Sequence, residues 1–224
     1  MSSFQLDNSE RGFSFNKDGP LDMRMGTSEL TAEEFINSVS EDELADIIYN
    51  YGDERKSRRI AKLIVEHRKI NPIKTTLHLA DIVLKANPKK NNHKKHPATK
   101  TFQAIRIYLN DEFSELFAGL TNAEQTLSED GKICVVTFHS LEDKIVKNYF
   151  YKSSGMDYSS YKSLPVETND SEASLIPGKK AIKPSKEEIE INIRARSAKL
   201  RYATRTSSLP NKFSLDDIGF REFG

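Results

Sequence analysis

The stretch Lys132-Ile-Cys-Val-Val-Thr-Phe-His-Ser-Leu-Glu-Asp143 decides the fold class. Its first seven residues form a short apolar run rich in β-branched side chains, bounded upstream by Gly131. Such a run reads as a strand buried on both faces. From Leu141 to Phe150 the spacing becomes helical, with Ile145, Val146 and Tyr149 on one side. A buried strand running into a helix is an α/β unit, and ligands bind such sheets at the carboxyl edge of their strands. His139, Ser140, Glu142 and Asp143 lie at that edge. They can line a pocket, or Ser140 can cap the helix while the two acids complement its dipole; both can hold together. A doubly buried strand needs parallel neighbours and helices on both faces. The rest of the chain offers only short β-structure near Lys180–Lys183 and the alternating run Ala198–Thr204, which reads as an antiparallel edge strand. The sheet therefore reads as incomplete.

Upstream of this unit the pattern is helical. Thr31-Ala-Glu-Glu34 and Ser40-Glu-Asp-Glu43 fit the capping box. Leu44, Ile47, Ile48 and Tyr51 form a stripe, and Gly52 reads as a helix stop. The spacing predicts a helix over Arg55–Lys69 with Ile60, Leu63, Ile64 and His67 on one face, ended by Asn71-Pro72. A further helix is predicted over Thr76–Ala86, and one long helix from about Thr99 to Leu120. Residues 1–28 show no periodicity and read as a disordered tail or a functional loop, with Phe13, Phe15, Leu21, Met23 and Met25 arguing against simple disorder. A Ser-rich loop covers 153–176, and 207–224 reads as a tail.

Composition narrows the function classes. The 224 residues are 37% apolar and 30% charged, with a mean hydropathy of −0.61. No apolar run approaches a membrane span, and the first residues lack the pattern of a signal peptide. The single cysteine, Cys134, excludes an internal disulfide framework and a cysteine-cluster metal site. The expectation is a cytoplasmic protein without a membrane segment or metal, since the five histidines (67, 78, 93, 96 and 139) show no ligand spacing. His139 has no upstream Ser or Cys spaced as in a known triad, which weakens nucleophilic catalysis.

The net charge of +1 conceals strong segregation. Residues 1–54 hold 3 basic and 13 acidic side chains, residues 55–106 hold 15 and 2, residues 107–176 hold 5 and 12, and residues 177–224 hold 11 and 6. A dense basic block suits phosphate-backbone binding, because each Lys or Arg at a phosphate releases counterions. A solvated helix face paired with the acidic blocks is the simpler alternative. Within the block, Lys89, Lys90, Lys94 and Lys95 form a basic loop, followed by His96-Pro-Ala-Thr-Lys100 opening a helix whose free amides attract phosphate. Arg194-Ala-Arg-Ser-Ala-Lys-Leu-Arg201 is a second basic segment, readable as an RNA-facing hairpin or as a charged edge strand.

The segments SSFQLDNSERGFSFNKDGPLDMRM, YGDERKSRRIAKLIV, HPATKTFQAIRIYLNDE, VVTFHSLEDKIVKNYF and RARSAKLR, spread over residues 2–201, together resemble one family. This is the bacterial 16S rRNA (cytosine-N4)-methyltransferases of the small-subunit methyltransferase H, or MraW, type. One small departure is Asn192-Ile193-Arg194, where the family usually has Asn-Pro-Arg. The family's Asp-Leu-Gly-Val strand end and glycine-rich cofactor loop have no counterpart, so the chain resembles the C-terminal two-thirds of such an enzyme.

The resemblance implies an α/β fold: the C-terminal part of a class I (Rossmann-like) methyltransferase sheet, with an inserted, mainly α-helical substrate domain. The implied organisation is a cofactor and active-site loop segment at 1–25, the inserted domain at 26–96, the remainder of the methyltransferase domain at 97–206 and a tail at 207–224. The implied cofactor is S-adenosyl-L-methionine, with Gln5 as the one carried-over contact, and binding by this stretch alone is expected to be negligible. The implied partner is 16S rRNA or the small ribosomal subunit, and the implied reaction is methylation of the N4 amine of a decoding-region cytidine. Ser2, Ser3, His139 and Glu142 are the pocket candidates. Lys89, Lys90, Lys94, Lys95, His96, Lys100, Arg106, Arg194 and Arg196 are the RNA-binding candidates. The alternative is a catalytically inactive remnant that only binds RNA or needs a separate N-terminal piece.

Overall fold

The computed structural model describes residues 3–26, 29–88, 96–155 and 173–220. The chain divides into two compact units, Met1–Glu112 and Phe113–Glu222. The first is helical: α1 (Ser3–Asp7), α2 (Ala32–Ser38), α3 (Glu41–Gly52), α4 (Ser57–Arg68), α5 (Thr76–Ala86) and α6 (Thr99–Leu109). The helix α7 (Glu112–Thr126) begins at the boundary. The second unit then adds β1 (Lys132–Thr137), α8 (Ser140–Ser153), β2 (Leu175–Pro177), α9 (Lys186–Ile191) and β3 (Lys199–Arg205). The fold is mixed α/β with a small antiparallel sheet. No described helix is long and apolar enough to cross a membrane.

The helical unit forms where its caps and stripes direct. Thr31 and Glu34 make the complete capping box, and Ser40 Oγ accepts the Glu43 amide. Ile47 and Ile48 of α3, Ile60 and Ile64 of α4, and Leu79 and Val83 of α5 are fully buried. The α4 core face is Ser57, Ile60, Ala61, Ile64 and Val65, rotated from the expected one: Leu63 and His67 are only half-buried, and His67 Nδ1 lies 2.9 Å from the Leu63 carbonyl oxygen.

The helix α3 ends at Gly52 as expected, but the left-handed cap is Asp53 (φ 51°) and not the glycine. A Cβ at Gly52 would lie 2.7 Å from the Lys100 carbonyl oxygen, so glycine is needed there for the close approach of α3 to α6. The single long helix expected over Thr99–Leu120 is two helices, α6 and α7. Asp111 is left-handed (φ 46°), and the Asn110 side chain donates to the Met23 carbonyl and accepts the Met25 amide. A competing tertiary contact thus interrupts a continuous helical period.

Residues 8–25 are a folded loop rather than a tail. Gly12 is left-handed (φ 68°), and a Cβ there would lie 2.4 Å from the Pro20 carbonyl oxygen. The Gly19 amide donates to Thr76 Oγ1, and Asp18 Oδ1 accepts the Leu77 amide, tying the loop to the start of α5. Leu21 and Met23 are buried, and Phe15 packs edge-on against Phe102.

In the second unit β3 is the central strand, not an edge: the sheet order is β1-β3-β2 and both pairings are antiparallel. Lys132 pairs with Thr204 and Thr137 with Lys199. The expected doubly buried, parallel β1 is therefore corrected. Ile133 and Thr137 point into the core, whereas Lys132, Cys134 and Val136 are exposed. The helix α8 packs on the sheet and supplies the core with Ile145, Val146, Tyr149 and Phe150. The outward face keeps apolar side chains, Val136 at 50% and Phe138 at 52% exposure, which explains why a one-sided strand read as an uninterrupted apolar run. The β-structure expected near 180–183 is a single bridge between Ile182 and Leu200.

Candidate functional site at the strand-to-helix turn

The turn after β1 is built by its own sequence. His139, not Ser140, is the N-cap of α8. Its Nδ1 accepts the Glu142 amide at 3.3 Å, while Glu142 Oε2 accepts the amides of Phe138 (2.9 Å) and His139 (3.2 Å). This is the capping-box logic with an imidazole in place of a hydroxyl, because an unprotonated ring nitrogen accepts as Ser Oγ does. With Nδ1 accepting, the neutral ring carries its proton on Nε2, which lies 3.2 Å from Glu142 Oε1 without hydrogen-bond geometry.

Burial works to raise the Glu142 pKa. It is outweighed by the adjacent His139 and the two backbone amides, which bring the carboxyl down to about 2. Glu142 is thus anionic across the neutral range and a poor proton acceptor. It holds His139 in one orientation and closes the turn.

Asp143 points elsewhere. Its carboxylate accepts Lys199 Nζ at 2.7 Å and Arg201 Nε at 2.6 Å, both from β3. Burial opposes its charge, but the hydrogen bonds from Arg201 and Lys199 prevail and keep its pKa below the usual carboxylate range. Sequence reasoning missed this link. The signal was present in two unlike-charged motifs, His139–Asp143 and Arg194–Arg201, but nothing in their spacing showed that α8 lies across β3.

The other expected site residues are dispersed. Ser2, Lys89, Lys90, Lys94 and Lys95 lie outside the described residues, and only the backbone of Ser3 is described, at the start of α1. Gln5 is half-buried in α1. His96 packs its ring 4.8 Å from that of Phe15 and accepts the Ala98 amide through Nδ1. Lys100 bonds the Asp53 carbonyl, and Arg106 is held by Glu112 through two bonds of 2.6 and 2.9 Å. Arg194 and Arg196 lie exposed in the short 3-10 turn before β3. The structure thus joins His139, Glu142 and Asp143 in one turn.

A mixed α/β protein with a polar strand-to-helix turn and a helical unit bearing the basic block is the class that fold and site define. The model of the MraW methylase family matches residues 1–206, and the chain belongs to that family. It is 50% identical over 208 residues to the ribosomal RNA small subunit methyltransferase H of Cereibacter sphaeroides, covering 93% of this chain and 63% of the relative. It is 53% identical over 205 residues to the protein of the same name in Rickettsia conorii, covering 91% and 66%. The relative of that name in Hyphomonas neptunium is 47% identical over 209 residues, covering 93% and 61%. The chain spans about two thirds of the length of these curated relatives.

Proposed function

We propose that this chain is the substrate-engaging part of an S-adenosyl-L-methionine-dependent methyltransferase acting on small-subunit rRNA at the N4 amine of a decoding-region cytidine. In this reading residues 1–25 and 97–206 belong to a class I methyltransferase domain, and 26–96 to an inserted substrate-recognising one. The observation that carries it is the 50% identity over 208 residues to a protein named ribosomal RNA small subunit methyltransferase H. The geometry of the His139–Glu142 turn supports it.

A methyl transfer to an amine is a displacement in which positioning dominates, with reacting atoms held about 3–3.5 Å apart. The N4 lone pair is delocalised into the cytosine ring, so polar groups must hold the amine and turn it. His139 Nε2 is buried against Glu142, so the imidazole braces the turn, and contacts to a base edge would come from the groups around it. Ser2 and Ser3 remain candidates for the acceptor. The methyl group would come from the cofactor. Gln5 is the only described position this reading offers for cofactor contact, and one amide in a five-residue helix does not build a cradle, so no step is derived through it.

The test is transfer of labelled methyl from S-adenosyl-L-methionine to small subunits by this chain joined to the cofactor-binding segment that the family resemblance implies, with nucleoside mass spectrometry. N4-methylcytidine in the decoding region is the expected product. RNA binding without any transfer would overturn the catalytic reading in favour of a binding module.

A further inference from the structure

Five of the eleven cations of the 55–106 block that the structure describes have side-chain partners. Arg58 bonds Asp42 and Asp46, Arg68 donates to the carbonyls of Ile36 and Val39, and Lys56 bonds Asn87. Lys100 is with Asp53 and Arg106 with Glu112. Arg55, Arg59, Lys62, Lys69, Lys74 and Lys85 differ. All six are exposed, and among the described residues none has a side-chain ion-pair or hydrogen-bond partner; the first four gather at α4.

Arg55 lies in the turn before α4. Along the helix, three residues lead from Arg59 to Lys62 and a further seven to Lys69, with exposed Glu66 in the same row. This row lies opposite Ser57, Ile60, Ala61 and Ile64, which anchor α4 in the core. Its entry is fixed by Glu54, a buried carboxyl whose Oε1 accepts the Lys56 amide at 2.9 Å. Lys69 keeps right-handed helical backbone angles (φ −66°, ψ −23°), so the row runs on past Arg68.

We propose that the outer face of α4, through Arg59, Lys62 and Lys69 together with Arg55 in the turn before it, is the surface that contacts the phosphate backbone of the RNA substrate. The proposal rests on the RNA reading above and locates it on one helix face rather than in the whole basic block. Arg59 to Lys69 alone cover eleven residues, about 15 Å along the helix. Neighbours three or four apart stand roughly 5–6 Å from each other at Cβ. A row with that spacing follows a chain of phosphates instead of enclosing one anion. The two arginines add guanidinium forks that match phosphate oxygens. The face carries no apolar anchor, so contacts here fix position without reading sequence.

The experiment measures binding of the full chain to a labelled small-subunit rRNA fragment over a salt series. Replacing Arg59, Lys62 and Lys69 together by Gln alters only exposed side chains. Affinity should fall by roughly tenfold or more, and the slope of log K against log salt should weaken by about 2, as three phosphate contacts are lost. Glu66→Lys should tighten binding and steepen the slope. Glu115→Lys, the same charge change on exposed α7, is the control for net charge and should do neither. Wild-type affinity and slope in the triple variant, or equal effects of Glu66→Lys and Glu115→Lys, would overturn the assignment to α4 while leaving the RNA reading intact. Absence of salt-sensitive RNA binding by the unmodified chain would overturn both.

Discussion

In the helical unit, Arg58 meets Asp42 and Asp46 through side chains that remain 64%, 94% and 44% exposed. In the sheet-bearing unit, the Asp143 side chain is 10% exposed and takes three hydrogen bonds from Lys199 and Arg201. Water screens the first group and side-chain entropy opposes it, whereas the second joins α8 to β3 at a depth where a lost partner is not replaced. A second buried cluster in the same unit has Glu124, fully buried, accepting the hydroxyls of Tyr149 (2.6 Å), Ser153 (3.2 Å) and Ser174 (2.6 Å). Burial pushes the Tyr149 hydroxyl well above its ordinary pKa, and the bond to Glu124 adds to the shift. The Arg58 pairs of the helical unit thus shape its surface, while Asp143 and Glu124 hold elements of the second unit together.

The contrast can be broken in order of expected effect. Glu124→Leu leaves three buried hydroxyls without their acceptor and should destabilise the protein by about 3 kcal/mol or more in chemical denaturation. Tyr149→Phe, which removes one of those bonds, should cost about 1.5 kcal/mol. An unchanged midpoint in both would remove the cluster from the account.

Asp143→Asn should cost about 2–3 kcal/mol by leaving Lys199 and Arg201 uncompensated. Lys199→Met in the same background should recover part of the loss if the cost is unpaired charge.

The Glu142 carboxyl sharpens the comparison through pH. Its folded pKa of about 2 lies below the ordinary 4.5. Its contribution is therefore fully present above pH 4.5 and is lost as pH falls toward 2. Roughly 2 kcal/mol should vanish over that window, and Glu142→Gln should flatten that part of the stability profile. A variant with the parent's acid limb would show that the turn does not hold this carboxyl down. At the other extreme, Arg58→Gln should change stability by no more than about 0.5 kcal/mol, as the surface arrangement requires.

Local chemistry made much of this legible. The caps at Thr31 and Ser40, the bounds of α5, and the passage from strand to helix at 137–140 depend on residues within a few positions of one another. The errors share one cause. The helix expected over 99–120 breaks because Asn110 bonds Met23 and Met25, some 85 positions away in the chain. The strand taken as doubly buried has one exposed apolar face, and periodicity counts apolar residues without knowing what covers them. Lys100 and Arg106 looked like free phosphate binders because their partners, Asp53 and Glu112, become neighbours only through helix packing and the break before α7.

By itself the sequence determined the α/β character, the family, and the charge segregation that points to a polyanion. Each of these depends on residue identity at short range. Only the tertiary structure decided that β3 is central, that His139 rather than Ser140 caps α8, and that Asp143 serves β3. It also decided which cations of the basic block remain open to a partner. Those outcomes depend on which distant groups arrive first at a limited set of donors and acceptors, and composition carries no record of that competition.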